Sequence, residues 1–482
     1  MPLAWSAPPD EAAATTATPV EFGMSDAIVV RSPYDGAEVG RAPRHGPEDV
    51  DRAVATAAAA LRDQPFPPWR RAEVLDAAAR LMSERAEDFA RTIALESAKP
   101  IKTARVEAKR AVSTFTFAAV EARRLTGEMV PVDAAEVGEG RLAFTLRVPV
   151  GVVGAISPFN FPLNLVAHKL APAIAAGCPV VLKPASQTPL SAVALAQLLT
   201  EECGLPPGYL HVVTGGGGEV GAALVEHPDV AYVTFTGSSE VGWGIAAKAG
   251  HKRVALELGN NSPVIIEADG DWAQAARTIA TAGFSHAGQS CVSVQRIYVA
   301  AEVADGFTAT LTELVDALVV GDPLDEATDL SALISENERD RVVSWVDEAV
   351  SEGAKVVAGG NLEHGVLRPT VLTGMTAEMK VSRDEVFGPV VAVQAYTFLD
   401  EALRLADDTR YGLQAGIFTS NLASALRAAR ELRFGTVLVN EVPTWRADQM
   451  PYGGVRESGN TKEGPAYAVR QMTEERLVVI QP

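Results

Sequence analysis

Residues 283–296 read GFSHAGQSCVSVQR and place a cysteine directly behind a small polar Ala-Gly-Gln-Ser turn. A thiolate is a nucleophile. A structural thiol normally sits inside an apolar strand or helix, whereas Cys291 stands at the entry to VSVQRIYVA, where its sulfur can face a cleft. The other two cysteines, Cys178 in AAGCPVVL and Cys203 in EECGLPP, read as packing or loop residues. Cys291 is a candidate nucleophile, with a third packing cysteine as the alternative. Thirty-four residues upstream, RVALELGNNSPVIIE sets Glu257 at a strand end, immediately before Leu-Gly-Asn-Asn. ISPFNFPLN carries Asn160 in a turn bracketed by Pro158 and Pro162, which stiffen it so that the amide points at one place. Taken singly, Glu257 reads equally as a solvated strand-end carboxylate and Asn160 as a turn former.

Helices and strands must position these groups. Over 47–126, segments such as RRAEVLDAAARLMSERAEDFARTIALES repeat apolar positions at three- and four-residue steps and predict helices. RLAFTLRVPVGVVGAI alternates apolar and polar residues and predicts an extended hairpin or arm. VGVVGAI, CPVVLKP, LHVVTGG, VAYVTFTG and SPVIIEA then predict a series of strands, separated by helices such as NLVAHKLAPAIAAG. Such alternation implies βαβ units and a parallel sheet. After Cys291, the strands SVQRIYVA, AKVVAGG, FGPVVAVQAY, LQAGIFT and GTVLVNE predict a second α/β unit with its own sheet. The terminal ERLVVIQP is a strand suited to pairing outside its own domain.

Three loops in the first series suit a nucleotide. GGGEVG, residues 216–221, matches G-x-G-x-x-G, follows a strand and opens a helix. AYVTFTG runs into GSSEVGWGIAAKAG, so Gly237 and Ser238 sit at a helix start, where free N–H groups and the helix dipole favour phosphate. Lys183 stands at the carboxyl end of the strand VVL, where open parallel sheets bind ligands.

Composition narrows the partners. The 482 residues imply two or three domains. The net charge of −19 argues against nucleic acid or an anionic membrane as the main partner. Three irregularly spaced cysteines make no disulfide framework, and a reducing cytoplasm is the expected location. The N-terminal MPLAWSAPPDEAAATTATPVEFG lacks the regions of a signal peptide and reads as a floppy leader. No apolar run approaches the roughly 18 residues of a membrane helix. No HExxH, CxxC or clustered His suggests a metal, and no G-x-S-x-G elbow appears.

Seven motifs in order carry a family resemblance: PFNFP (158–162), KPASQTP (183–189), FTGSSEVG (235–242), LELGNNSP (256–263), GQSC (288–291), EVFGP (385–389) and PYGGVRESG (451–459). The chain resembles the aldehyde dehydrogenase superfamily over nearly everything after residue 25. The resemblance implies an α/β fold: a Rossmann-like dinucleotide-binding domain (23–126 and 149–257), an α/β catalytic domain (258–447) and a β-arm oligomerisation element (127–148 and 466–482), behind a flexible leader (1–22). A homodimer or homotetramer is expected. Cys291 would add to the aldehyde carbon to give a thiohemiacetal, with Asn160 and the Cys291 N–H holding the oxyanion. Hydride would pass to NAD or NADP, and Glu257 would activate the water that hydrolyses the thioester. Glu385 and Phe387 would position the nicotinamide ribose and ring; Lys183 and Ser238 would take the adenine-side ribose and the pyrophosphate. Ile156, Ser157, Pro158 and Phe159 on one loop, and Ala185 and Ser186 on the next, would complete the cofactor site. So would Gly217 and Gly221, then Phe235, Thr236, Gly237, Val241 and Leu258.

Two departures matter. The family usually has Gly-Gly after Glu-Leu; here the pair is Gly259-Asn260, and the added side chain is expected to crowd the nicotinamide or the path of Glu257. Ser186 stands where many NAD-preferring relatives have Glu, which removes the repulsion of a 2′-phosphate, so NADP is expected to be accepted; the alternative is a turn-capping serine. The stretch NEVPTWRADQMPYGGVRESGNTKEGP resembles the branch oxidising lactaldehyde, phosphorylated glyceraldehyde or phosphonate-bearing aldehydes. Arg110 and Arg446 suit an anionic group, or else are salt-bridge partners. His286 reads as a hydrogen-bonded supporting histidine near the entrance; Phe115, Phe161 and Trp445 read as tunnel walls or core; Ser290 joins the substrate set. The alternatives are a relative handing the thioester to coenzyme A, which usually lacks the glutamate found here at 257, and a catalytically silent relative, which only Asn260 supports.

Overall fold

The strand Val152–Ile156 reads VVGAI and is buried at all five positions. A run apolar on both sides is what a parallel strand covered on both faces requires. Val152 and Ile156 pack with the helix Pro47–Asp63, while Val153 and Ala155 pack with the helices Pro68–Glu84, Ile101–Arg124 and Asn164–Ala176. The two-residue period of the strand thus joins two apolar layers. The computed structural model describes residues 27–482, so the expected leader 1–22 lies outside the described residues.

Val152–Ile156 is the middle strand of a five-stranded parallel sheet. Val180–Lys183 and then Leu210–Val212 lie on one side of it, and Val230–Thr236 and then Arg253–Glu257 on the other. In order of sequence this is 3-2-1-4-5, so the build direction reverses between Val152–Ile156 and Val230–Thr236. Ligands of doubly wound sheets bind beyond the carboxyl ends at that reversal.

A seven-stranded sheet follows. Its order is Lys355–Ala358, Thr370–Thr373, Val390–Tyr396, Arg296–Ala300, Pro263–Ile266, Gln414–Phe418 and Thr436–Val439, parallel except for the first pair. Pro263–Ile266, grouped by sequence with the first series, belongs to this second sheet, between Arg296–Ala300 and Gln414–Phe418. A buried apolar run does not encode which sheet it joins. Thr370–Thr373 went unpredicted, being only four residues long behind Pro369.

The expected hairpin in RLAFTLRVPVGVVGAI is corrected. Gly151, at φ +134°, separates two strands that never pair with each other. Leu142–Pro149 instead pairs antiparallel with the terminal strand Thr473–Ile480 and with Met129–Val130. The alternating segment became the three-stranded sheet, and the continuously apolar segment became the core strand.

Phe115, considered as a tunnel wall, is fully buried in the core beside the first sheet. Phe115→Ala is expected to cost about 3–5 kcal/mol, read from the urea midpoint of the purified protein; a loss under about 1 kcal/mol would contradict this placement.

Candidate active site

Three consecutive residues ahead of Cys291 adopt left-handed backbone: His286 (φ 50°), Ala287 (55°) and Gly288 (71°). For the two non-glycine residues this costs roughly 1–2 kcal/mol each, and such strain gathers at functional sites. A side chain on Gly288 would collide with the Gly388 carbonyl, so the loop lies directly against the EVFGP segment. Gln289 fixes it further: its Oε1 accepts from Ile334 N–H at 2.9 Å, and its Nε2 donates to the His286 carbonyl. Cys291 emerges half-buried on the wall of a cavity of about 590 Å³. Its Sγ lies 2.9 Å from the Tyr452 hydroxyl. Cys178 and Cys203 are buried elsewhere and do not line this cavity. Burial pushes the Cys291 thiol up to about 12, with the Tyr452 hydrogen bond opposing that shift.

Glu257 ends the last strand of the first sheet. The PYGGVRESG loop is sewn to that strand end: Leu258 N–H donates to the Ser458 carbonyl, Ser458 Oγ to the Gly259 carbonyl, and Asn460 N–H to the Leu256 carbonyl. A β-carbon on Gly453 would stand 2.6 Å from Glu257 Oε1, so glycine is required where the loop passes the carboxylate. Adjacent residues of one loop therefore touch the two groups, Tyr452 at the sulfur and Gly453 at the carboxylate. Both Glu257 oxygens are buried without a hydrogen-bond partner among the described residues. Burial holds this carboxyl well above the usual carboxylate range; Glu463 adds to the shift, and Arg446, Lys169 and Lys462 oppose it. Such a group is suited to accepting a proton near neutrality.

Asn160 sits in a turn pinned from behind by Lys99 and Glu107, a fully buried ion pair. Lys99 Nζ donates to the Asn160 carbonyl at 2.7 Å, and Glu107 Oε1 accepts from the N–H groups of Leu163 and Asn164. The Asn160 amide donates to the Gln289 carbonyl at 2.8 Å, two residues before Cys291. An amide carries a second N–H, which is left for another acceptor. Arg110, Phe161, His286, Ser290, Trp445 and Arg446 all line the cavity, whereas Asn160 and Glu257 do not.

The arginines are already engaged. Arg110 pairs with Asp448 at 2.9 Å. Arg446 pairs with Glu463 at 3.0 Å and stacks on Tyr452, its guanidinium carbon 3.7 Å from the ring centroid. His168 lies between, 3.1 Å from both Asp448 and Arg446. Lys169 Nζ donates to Thr234 and Thr236 and stands 3.9 Å from Glu463. His286 is a correction: among the described residues neither ring nitrogen has a hydrogen-bond partner, and burial holds it well below the usual imidazole range.

The residues expected to hold the cofactor gather beyond the carboxyl ends of the first sheet. Ile156 ends the middle strand, Ser157 N–H donates to the Lys183 carbonyl, and Gly237 N–H to the Glu257 carbonyl. Pro158 and Phe159 follow; Phe159 packs edge-on against Phe387 with centroids 5.9 Å apart. Phe387 is half-buried at φ 48°, not a core residue. Glu385 Oε1 accepts from the Asn260 N–H at 2.9 Å, and burial pushes this carboxyl up to about 7. Phe235 and Thr236 close the fourth strand, and Ser238 caps the helix Ser239–Lys248 through its hydrogen bond from Val241 N–H. Leu258 lies buried beneath Gly242 of that helix. Gly217 opens a π-turn ending at Gly221, which borders the Lys183 stem; a β-carbon at 216, 217 or 218 would meet nothing within 4 Å. Ala185 and Ser186 lie on the neighbouring loop, where Ser186 Oγ donates to the Gly215 carbonyl at 2.8 Å. That open glycine turn, the capped helix start and the strand-end reversal fit a dinucleotide.

Asn260 is the second correction. Its backbone is not left-handed, and its amide turns away to Ser262 Oγ at 2.8 Å and the Gln414 carbonyl at 3.1 Å. Its side chain is thus tied to the second sheet, at Ser262 and Gln414, rather than to Glu257. Sequence reasoning missed Tyr452, Glu463 and Lys169 as candidate site residues, although all three lie inside stretches it quoted. Arg277 was missed as well: it lines the cavity from the helix Trp272–Ala282, its guanidinium donates among the described residues to Gln274 alone, and it carries no motif.

Known proteins bear on this geometry. The model of the aldehyde dehydrogenase family matches residues 22–478. A 3-sulfolactaldehyde dehydrogenase of Priestia aryabhattai is 51% identical over 433 residues, 90% of each chain. A lactaldehyde dehydrogenase of Methanococcus vannielii is 40% identical over 416 residues, 86% of this chain and 88% of that one. The glyceraldehyde-3-phosphate dehydrogenase GapN of Methanocaldococcus jannaschii, complexed with NADP, superposes with a TM-score of 0.90 at 37% identity over 94% of this chain and 99% of that one. The chain belongs to the aldehyde dehydrogenase family, oxidoreductases acting on the aldehyde group.

Proposed function

We propose that the protein oxidises a short hydroxy-aldehyde carrying an anionic group, such as a sulfonate, to its carboxylic acid, using Cys291 as nucleophile. NAD(P) is the cofactor; when bound, it supplies the acceptor for the hydride that leaves the substrate carbon. The observation that carries this reading is one cysteine opening on a cavity, with a buried unpartnered carboxyl immediately behind the same loop. Cys291 attacks the carbonyl carbon, and the free N–H of Asn160 with the Cys291 backbone N–H holds the oxyanion. The thioester left after oxidation is hydrolysed by water that Glu257 deprotonates. Neighbours of Glu257 set its timing: Glu463 and burial favour its neutral form, and Arg446, Lys169 and Lys462 draw it back toward the carboxylate.

The cavity supports the substrate class. Four cationic side chains, Lys99, Arg110, Arg277 and Arg446, line it against two carboxylates, Glu107 and Glu441. Lys99, Arg110 and Arg446 each have a carboxylate partner, while the Arg277 guanidinium has, among the described residues, only Gln274. With a net charge of −19 opposing any anion at long range, selection rests on such local cations. His286, neutral and unpartnered on the same wall, suits the substrate hydroxyl. At residue 186 no carboxylate faces an adenine-side ribose, which suits NADP. Copies of the chain meet, on this reading, along the free edge of Thr473–Ile480, where Leu477, Val479 and Ile480 are exposed.

Glu257→Gln is expected to release one equivalent of reduced cofactor per site in a burst, then turn over about 100-fold or more slower; steady turnover at the parental rate would end the hydrolytic role. In the parent, the base works only when deprotonated. Its raised pKa therefore places the acid limb of kcat above the ordinary carboxylate value of 4.5, measurable from a pH–rate profile, and a limb at or below 4.5 would argue against it. Ser186→Glu is expected to lower kcat/KM for NADP about tenfold relative to NAD, and an unchanged ratio would count against the cofactor reading. 3-Sulfolactaldehyde is expected to exceed lactaldehyde in kcat/KM, with Arg277→Gln reducing the difference about tenfold; equal values for both aldehydes in the parent would remove the anionic substrate class.

A further inference from the structure

The Cys291 sulfur lies where a thiolate is hard to keep. Val292, Leu413 and Tyr452 pack around it. The charged and titratable groups facing it are Glu385, Glu257 and Arg446, and both carboxyls disfavour a second negative charge. Among the described residues, its side-chain hydrogen-bond partner is the Tyr452 hydroxyl. We infer that this phenol is a catalytic residue: it donates a hydrogen bond to the Cys291 thiolate, and Arg446, stacked on its ring, is the positioning residue that keeps it there. The inference rests on Cys291 being the nucleophile and goes beyond it.

Glu463 builds the arrangement twice over. Its backbone forms an antiparallel bridge with Tyr452, Tyr452 N–H to the Glu463 carbonyl at 3.2 Å and Glu463 N–H to the Tyr452 carbonyl at 2.6 Å. Its carboxylate meanwhile holds the Arg446 guanidinium over the Tyr452 ring. Ring, cation and hydroxyl are thus fixed by one residue, and Tyr452 is 2% exposed. Between a thiol and a phenol in contact, the thiol is the stronger acid by ordinary values, so sulfur loses the proton and oxygen keeps its own. The S–H bond breaks, its electron pair stays on sulfur, and the proton leaves to solvent through the cavity. A cation on the ring face withdraws electron density and strengthens the O–H donor. The same hydrogen bond is weakened once the sulfur is acylated and restored when the thiolate departs, so it assists both halves of the reaction.

The test is the rate at which iodoacetamide alkylates Cys291 as a function of pH, without aldehyde, read on the Cys291 peptide by mass spectrometry. Tyr452→Phe keeps the stacked ring and removes the donor. The expected result is a midpoint moved to higher pH and alkylation about tenfold or more slower near neutrality. Arg446→Gln is expected to move the midpoint the same way, and Arg446→Lys to return part of the shift. Replacing Tyr452 by 3-fluorotyrosine, whose phenol is the stronger acid, moves the midpoint to lower pH and decides the matter should the phenylalanine variant not fold. Unshifted midpoints in the phenylalanine or the fluorinated protein overturn the inference. Cys291→Ala separates the two claims: loss of turnover with no Tyr452 effect sinks only this inference, while retained turnover sinks the nucleophile itself.

Discussion

The site depends on two acidic groups set into a largely buried neighbourhood, Cys291 on the cavity wall and Glu257 at the end of the first sheet. Removing an ionised group from water costs several kcal/mol even after relaxation, so burial disfavours the charged form of both Cys291 and Glu257. Burial leads the causes for both. The neighbourhood is organised to make each charge obtainable without making it permanent. A thiolate that was always present would be hydrated and reactive toward any electrophile, and a carboxylate always ionised would be a weak base.

Residues 445–464 meet that constraint. Glu463 pairs with Arg446, which lies over Tyr452, which touches the sulfur. Lys169 reaches toward Glu463 from the other side while held by Thr234 and Thr236 of the first sheet. His168 and Asp448 extend the network to Arg110 at the far wall of the cavity. The segment is bound to the end of Arg253–Glu257 by backbone hydrogen bonds and by glycines at 453 and 459, where any side chain would strike the strand or its carboxylate. The cavity lining, Cys291 and Glu257 are therefore joined through one largely buried set of charged and hydrogen-bonding side chains.

Much of this was legible before any coordinates. Cys291 was singled out by the polar turn in front of it, Glu257 by its place at a strand end, and the strand-end loops by their glycines. The motif order named the family, and periodicity gave the main helices. What the sequence did not disclose depends on contacts distant along the chain. Whether Pro263–Ile266 joins the first or the second sheet is decided by its neighbours, not its own residues. Asn260 looked obstructive by size, yet Ser262 and Gln414 draw its amide away. Tyr452 lay inside a recognised motif without announcing that its hydroxyl reaches 2.9 Å from sulfur. Arg277 has no motif at all, and only the cavity reveals it.

The central claim, that the reacting carbon becomes bonded to the Cys291 sulfur, is tested most directly by acid-quenching the enzyme during a single turnover and mapping its peptides by mass spectrometry. The account predicts the acyl mass of the substrate on the peptide holding Cys291, absent from those holding Cys178 and Cys203. Product formed with no acyl group on Cys291 at any quench time, or an acyl group on another residue, would contradict it.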